Sequence, residues 1–239
     1  MTPTETPRIQ AAAARNNAEW CAAVCRSHGI AGDFGDTVWS SARRTHPYYP
    51  DAVTLRPDAR PADVLAGIDT ASPGCSVKDS FAALDLTPHG FAELFTARWI
   101  HRPAAAPAPM PASLRVERVS SASELGDWQT AWHGGDVTAD VFRPPLLDDP
   151  SVVVLALHDG RDLAGGAVLN HGSGVVGVSN LFAVDAADLA AVWPATVTAA
   201  AARFPGLPLV GYEHADDLAP ALASGFTELG PLRVWLRGA

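Results

Sequence analysis

From residue 113 onward the apolar and polar positions follow a regular pattern. "SLRVERV", 113–119, alternates apolar and polar and predicts a strand. In "SSASELGDWQTAWHGG", Ser121 and Glu124 have capping-box spacing, Trp128 and Trp132 share a helical face, and Gly134–Gly135 end the helix. The β-branched run "SVVVLAL", 151–157, predicts a buried strand. "LAGGAVLN", 163–170, and "VVGVSNLFAV", 175–184, are two more strands, with "DGRD" and "HGSG" as turns around the first of them. The Ala-rich segment 185–203 is helical, with Pro194 expected to kink it or delay its start. "LPLVGYE", 207–213, is a strand. "DDLAPALASGF" is a short helix closed by Gly225. "TELG" and "PLRVWLRG" are read as the last strands. The predicted order is β-α-β-β-β-α-β-α-β-β.

The first hundred residues are less regular. "NNAEWCAAVCRSHG", 16–29, predicts a helix ended by Gly29. "PDAVTL", 50–55, is likened to "PSVVVL", 150–155. "SVKDSFAALDLTPHGF", 76–91, is likened to 209–226: a strand, a polar tip, a short helix, then Gly-Phe. The following "GFAELFTARWIHR", Gly90–Arg102, matches "GFTELGPLRVWLR", Gly225–Arg237, at six of thirteen positions. Between the two stretches lies "RPAAAPAPMPA", Arg102–Ala112, whose composition predicts an extended linker. The expected organisation is therefore a first unit at 1–102, a linker at 103–112 and a second unit at 113–239.

Composition narrows the partners. The net charge is −9, with the basic residues scattered, so nucleic acid is not an expected partner. No run of apolar residues is long enough to span a bilayer, and the start of the chain lacks the pattern of a signal peptide. The expectation is a cytoplasmic protein with no membrane association. Lys78 is the only lysine beside sixteen arginines, which points to a GC-rich, actinobacterial source. Cys21 and Cys25 share a helical face as apolar fillers, and the histidines fall in no metal-binding spacing, so no metal is expected. The seven tryptophans read as core, and His171 as a turn residue.

The element order of 113–239, with Gly225–Phe226 closing the last helix and Trp235 on the final strand, resembles the GNAT acyltransferase superfamily. The resemblance implies an α/β protein with a mixed sheet: a tandem of GNAT-like halves, the second complete and the first shortened. It also implies a small-molecule acceptor, with acetyl-CoA or another acyl-CoA as donor. In the family the pantetheine arm pairs with the fourth strand, here Leu181, Phe182, Ala183 and Val184. The diphosphate then sits on a helix start reading V-x-P-x-x-R-G-x-G-x-G. Counted from Val184, every signature position is changed: Ala186, Leu189, Ala190, Val192 and Pro194 replace the proline, arginine and glycines. Asp185 and Asp188 stand where phosphate would approach. CoA is thus not expected to be held in the family's way.

The family's acid, a tyrosine five residues before the Gly-Phe phenylalanine, is replaced by Ala221 and Leu86 in the two halves. Ser179 and Asn180 on the fourth strand cannot act as bases. "GYEHADD" carries the most chemistry: Glu213 or His214 as proton acceptor and Tyr212 as a substitute acid, with Asp216 or Asp217 as helix caps. Strand alternation places Glu213 opposite both neighbours unless the strand ends there. Lys78 beside Asp79 reads as an exposed ion pair, an anion contact or an activated amine. "RRTHPYY", Arg43–Tyr49, reads as a surface loop or a receptor for an acidic ligand between the halves. Three function classes stay open. They are a CoA-dependent acyltransferase, an enzyme repurposed for non-acetyl chemistry on a small intermediate, and a non-catalytic ligand-binding relic.

Overall fold

The structure, a computed structural model, describes residues 5–104, 114–135 and 140–238. Among these residues eleven strands form one mixed sheet. The first half supplies helix α1 (Glu5–Ser27), strands β1 (Asp33–Phe34), β2 (Val38–Ser40) and β3 (Ala52–Thr54), a short helix α2 (Pro61–Leu65), then β4 (Ser76–Asp79) and β5 (Phe91–Arg102). The second half supplies β6 (Arg115–Arg118), α3 (Ala122–Trp132), β7 (Val152–Asp159), β8 (Asp162–Gly172), β9 (Val175–Ala183), α4 (Leu189–Arg203), β10 (Leu209–Glu213), α5 (Leu218–Ala223) and β11 (Thr227–Arg237).

The sheet order is β1-β2-β3-β4-β11-β5-β10-β9-β8-β7-β6. The two Gly-Phe segments, β5 and β11, lie side by side and antiparallel at its centre, from Phe91 opposite Arg237 to His101 opposite Thr227. On one side β11 pairs antiparallel with β4, which runs parallel to β3. On the other, β5 pairs antiparallel with β10, which runs parallel to β9. The arrangement is thus mirrored about the central pair, and each half places its last strand against the other half's penultimate strand. β3 occupies the position mirrored by β9, whereas the sequence reading likened 50–55 to 150–155, the start of β7.

Helices cover both faces. In β7, Val152, Val154 and Ala156 pack with α1 and α3, while Val153, Leu155 and Leu157 pack with α4. Each inward run is thereby buried on alternate sides, at roughly 25 cal/mol per Å² of apolar surface. Ser121 Oγ accepts from the Glu124 N–H at 3.2 Å, and the Glu124 carboxylate accepts from the Ser121 N–H at 3.2 Å, closing the capping box of α3. Trp128 Nε1 donates to Leu155 O at 2.8 Å. Gly166 leaves the space for that indole, since a Cβ there would lie 2.2 Å from Nε1.

Several elements differ from the sequence reading. α1 begins at Glu5, because the alanines ahead of residue 16 carry the buried face on toward Ile9. The last strands are one strand, β11, with a register shift between Glu228 and Gly230. The expected short helix before Gly90 is a single 3₁₀ turn, Thr87–His89. α4 starts at Leu189 after a 3₁₀ turn and runs through Pro194. Most of the linker, 105–112, lies outside the described residues.

Candidate active site

The sheet opens where β9 and β10 part. Their parallel pairing covers only Leu209–Val176 and Val210–Gly177. Gly211 follows at the point of closest approach, where a Cβ would sit 2.9 Å from Val178 O. Beyond it, Asn180 adopts a left-handed φ of 52°. There β9 slips one residue against β8, between the pairs Val168–Ser179 and Gly166–Phe182. A bulge of this kind bends a strand and disrupts its ladder locally, and past Gly177 β9 has no pairing with β10. Asparagine tolerates the conformation better than most residues.

Two cavities meet in the opening. One, about 450 Å³, is lined from the first half by Asn17, Trp20, Cys21, Tyr48, Tyr49, Lys78 and Phe95, and from the second by Trp132, β9 and the end of β10. The other is a groove of about 220 Å³, lined by Leu181, Phe182, Ala183, Ala186, Leu189 and Trp193. Leu181, Glu213 and Asp217 border both. A larger cavity, about 660 Å³, lies at the β6 edge of the sheet. Two of its polar groups serve the fold: Glu124 caps α3 and Arg118 donates to Leu147 O.

The strand β10 ends at Glu213 and the chain turns at Ala215, whose φ is 47°. That turn lets Tyr212, Glu213 and His214 all border the cavity of about 450 Å³, against the alternation expected of a continuing strand. Burial, and then the Asp217 carboxylate, push the Glu213 carboxyl up to about 8. His214 is exposed at the mouth, its ring 5.4 Å from that of Phe95. Asp217 occupies the position before α5 without a side-chain cap. Leu181, Phe182 and Ala183 line the groove. Val184 does not: it is exposed, and its N–H donates to Ala164 O at 2.8 Å.

Lys78 departs from the sequence reading. It is 5% exposed and lines the cavity. Its ammonium donates to Asn17 Oδ1 at 2.8 Å and to the Tyr212 hydroxyl at 3.1 Å, and lies 4.3 Å from the Tyr212 ring centre. Asp79 alternates to the other face, where it accepts from the N–H groups of Phe81 and Leu84. Burial pulls the Lys78 pKa down, and the neighbouring Tyr212 and Cys21 push it the other way, to a value above the ordinary one. Burial raises both the Cys21 and Cys25 thiols, Cys25 to about 12, so neither is a ready nucleophile.

"RRTHPYY" divides. Tyr48 and Tyr49 line the cavity; the Tyr48 ring stands edge-on to Trp132, 5.8 Å away, and the Tyr49 hydroxyl donates to Asn180 Oδ1 at 3.4 Å. The arginines are turned elsewhere. Arg44 pairs with buried Asp51 and donates to Asp69 O and Ser72 O, and Arg43 donates to Gly29 O. The first half therefore builds much of the cavity wall. Asn17, Trp20 and Phe95 carried no signal in the sequence, since each is an ordinary residue of an amphipathic element.

Among the described residues no cluster of three or more metal-binding side chains occurs, and no helix is long and apolar enough to cross a membrane. No family model and no curated protein matches the chain. Solved structures do. A GCN5-related N-acetyltransferase from Kribbella flavida aligns over 95% of this chain and 96% of its own, at 16% identity and a TM-score of 0.63. A GCN5-related N-acetyltransferase-like protein from Streptococcus suis aligns over 87% and 89%, at 14% identity and a TM-score of 0.53. A conserved protein of unknown function from Staphylococcus epidermidis aligns over 69% and 73%, at 11% identity and a TM-score of 0.54. At such identities the likeness is one of architecture, and the splayed, bulged mixed sheet carrying these cavities is the fold of the GCN5-related N-acetyltransferases, the GNAT fold.

Proposed function

We propose that this chain is an acyltransferase that moves an acyl group to the amine of a small acceptor held in the cavity of about 450 Å³ between the halves. The observation that carries the reading is the place of Glu213, on the seam between the cavity of about 450 Å³ and the groove beside β9. A carboxyl with a pKa of about 8 is matched to taking a proton near neutral pH. Glu213 accepts the proton that the amine loses as its nitrogen bonds the acyl carbon and the thioester C–S bond breaks, and the departing thiolate takes a proton from Tyr212. Tyr212 is the second acid–base group. Lys78 fixes its oxygen, so its own hydroxyl proton is free to point into the cavity.

The donor we propose is an acyl thioester. The groove beside Leu181–Ala183 suits its arm, with apolar walls and the unpaired edge of β9. A CoA diphosphate does not fit the start of α4. No glycine lies between Gly177 and Gly206 to admit it, and Asp185 and Asp188 bring negative charge where phosphate would come. That mismatch favours a second reading, a GNAT fold turned to other chemistry on the same acceptor. The test is to incubate the chain with acetyl-, malonyl- and longer acyl-thioesters, as CoA and as pantetheine forms, with a mixture of primary amines, and to read acylated products by mass. Products that vanish in Glu213→Gln support acyl transfer. Absence of product from every donor supports the second reading.

We also propose that the two halves are tandem copies that exchange their last strands. The mirrored order β3-β4-β11 and β5-β10-β9 supports this, as do the matching Gly-Phe segments at its centre.

A further inference from the structure

We propose that the acceptor carries a carboxylate as well as its amine, as an amino acid does, and that Lys78 is the residue that binds it. The inference rests on the cleft being the acceptor site. An ammonium has three N–H donors. Two go to Asn17 Oδ1 and the Tyr212 hydroxyl, and both acceptors are uncharged. Among the described residues no carboxylate forms an ion pair with Lys78. Its sequence neighbour Asp79 is spent on backbone N–H groups of the opposite face. A charge buried without a counter-charge is costly unless something supplies one. This one lines an accessible cavity, so an anionic group of a ligand can approach the third donor.

The rest of the cavity defines the other end of that ligand. Glu213 borders the groove and Lys78 does not. An acceptor with its carboxylate on Lys78 thus has room to present its amine to Glu213 at the seam. Beyond these two poles the cavity is walled in part by the aromatic rings of Trp20, Tyr48, Phe95 and Trp132. They suit an apolar body and disfavour a second charge. An amide in place of the carboxylate would leave the ammonium uncompensated, which is the physical basis for selecting the acid.

The test is a calorimetric titration of the full chain, with no acyl donor present. The probes are acid and amide pairs: phenylalanine with phenylalaninamide, leucine with leucinamide, and phenylpropanoate with its amide. We expect at least one acid to bind about tenfold or more tighter than its amide. The preference should fall to within about threefold in Lys78→Met and survive in Lys78→Arg. Lys78→Met removes an uncompensated buried charge, so its melting temperature should match or exceed that of the unaltered chain. Were it not to fold, the acid-to-amide ratio in the unaltered chain decides alone. Equal binding of acid and amide in all three pairs, no binding of any acid, or a preference that persists in Lys78→Met would overturn the proposal. Acid binding without acyl transfer would leave this inference standing while sinking the acyltransferase reading.

Discussion

Lys78 donates to the Tyr212 hydroxyl at 3.1 Å, although β4 and β10 are not neighbours in the sheet: β11 and β5 lie between them. At ~4.8 Å per strand that is a separation of roughly 14 Å. Two long side chains span it, one from each half of the chain, and the cleft therefore depends on how the halves interlock.

Glu213 is the first place to test the chemistry. Glu213→Gln keeps the shape of the side chain and removes its basicity. We expect acyl transfer to fall by ~10²–10⁴, as for loss of a general base. In the unaltered chain the rate should climb with pH and level off above about 8, where the carboxyl is ionised. A flat profile, or a loss below about threefold, would make the carboxylate structural.

The same group makes stability depend on pH. Its pKa is raised from 4.5 to about 8 by burial and Asp217. The unfolded chain releases this proton near the lower value, while the folded chain holds it to the higher one. Its stabilising contribution is thus full at acid pH and is lost as pH rises through about 8. The melting temperature should decline across that window more steeply than in Glu213→Gln. Parallel curves would put the carboxyl in contact with water.

Acetyl-CoA should hardly stabilise the protein. A ligand at about 100 times its Kd adds ~2.7 kcal/mol, an easily measured melting shift. We expect no shift of that kind with millimolar acetyl-CoA. A clear shift with acetyl-CoA and none with pantetheine would mean that the start of α4 holds the diphosphate despite Asp185 and Asp188.

The halves should need each other. Residues 113–239 alone leave β10 without β5, and residues 1–104 leave β4 without β11. Each would expose a long central edge, and such edges associate. The isolated fragments should be insoluble or associated, and co-expression should recover a soluble complex. A monomeric, cooperatively melting fragment of either kind would contradict this.

Gly211→Ala tests the closing point of the cleft. The added methyl would meet Val178 O, a backbone atom that cannot swing aside. We expect a loss of about 1–3 kcal/mol in stability. Acceptor binding should weaken while β5–β11 pairing, followed by amide exchange, stays intact. Unchanged stability would mean that β9 and β10 part earlier than Gly211.

Much of the second half was legible because its signals are local. The β-branched run of β7, the Ser121–Glu124 box and the glycine after α5 each act within a few residues. Glu213 could be singled out for the same reason, as an acid at the end of an apolar strand. The reading failed where a partner was distant. Lys78 beside Asp79 looked like a surface pair, but strand alternation separates the two, and the real partners Asn17 and Tyr212 lie 61 and 134 residues away. Arg44 looked available to a ligand until buried Asp51 was seen to hold it.

The amino-acid pattern by itself determined most elements of the second half, the two Gly-Phe endings and the acid at the tip of β10, because periodicity and turn chemistry are short-range. Only the tertiary structure decided that β5 and β11 pair with each other at the centre, that β9 leaves β10 after Gly211, and that Lys78 enters the cleft. Those outcomes depend on which edge each strand finds and on which face its side chains then share, and no local run of residues encodes either.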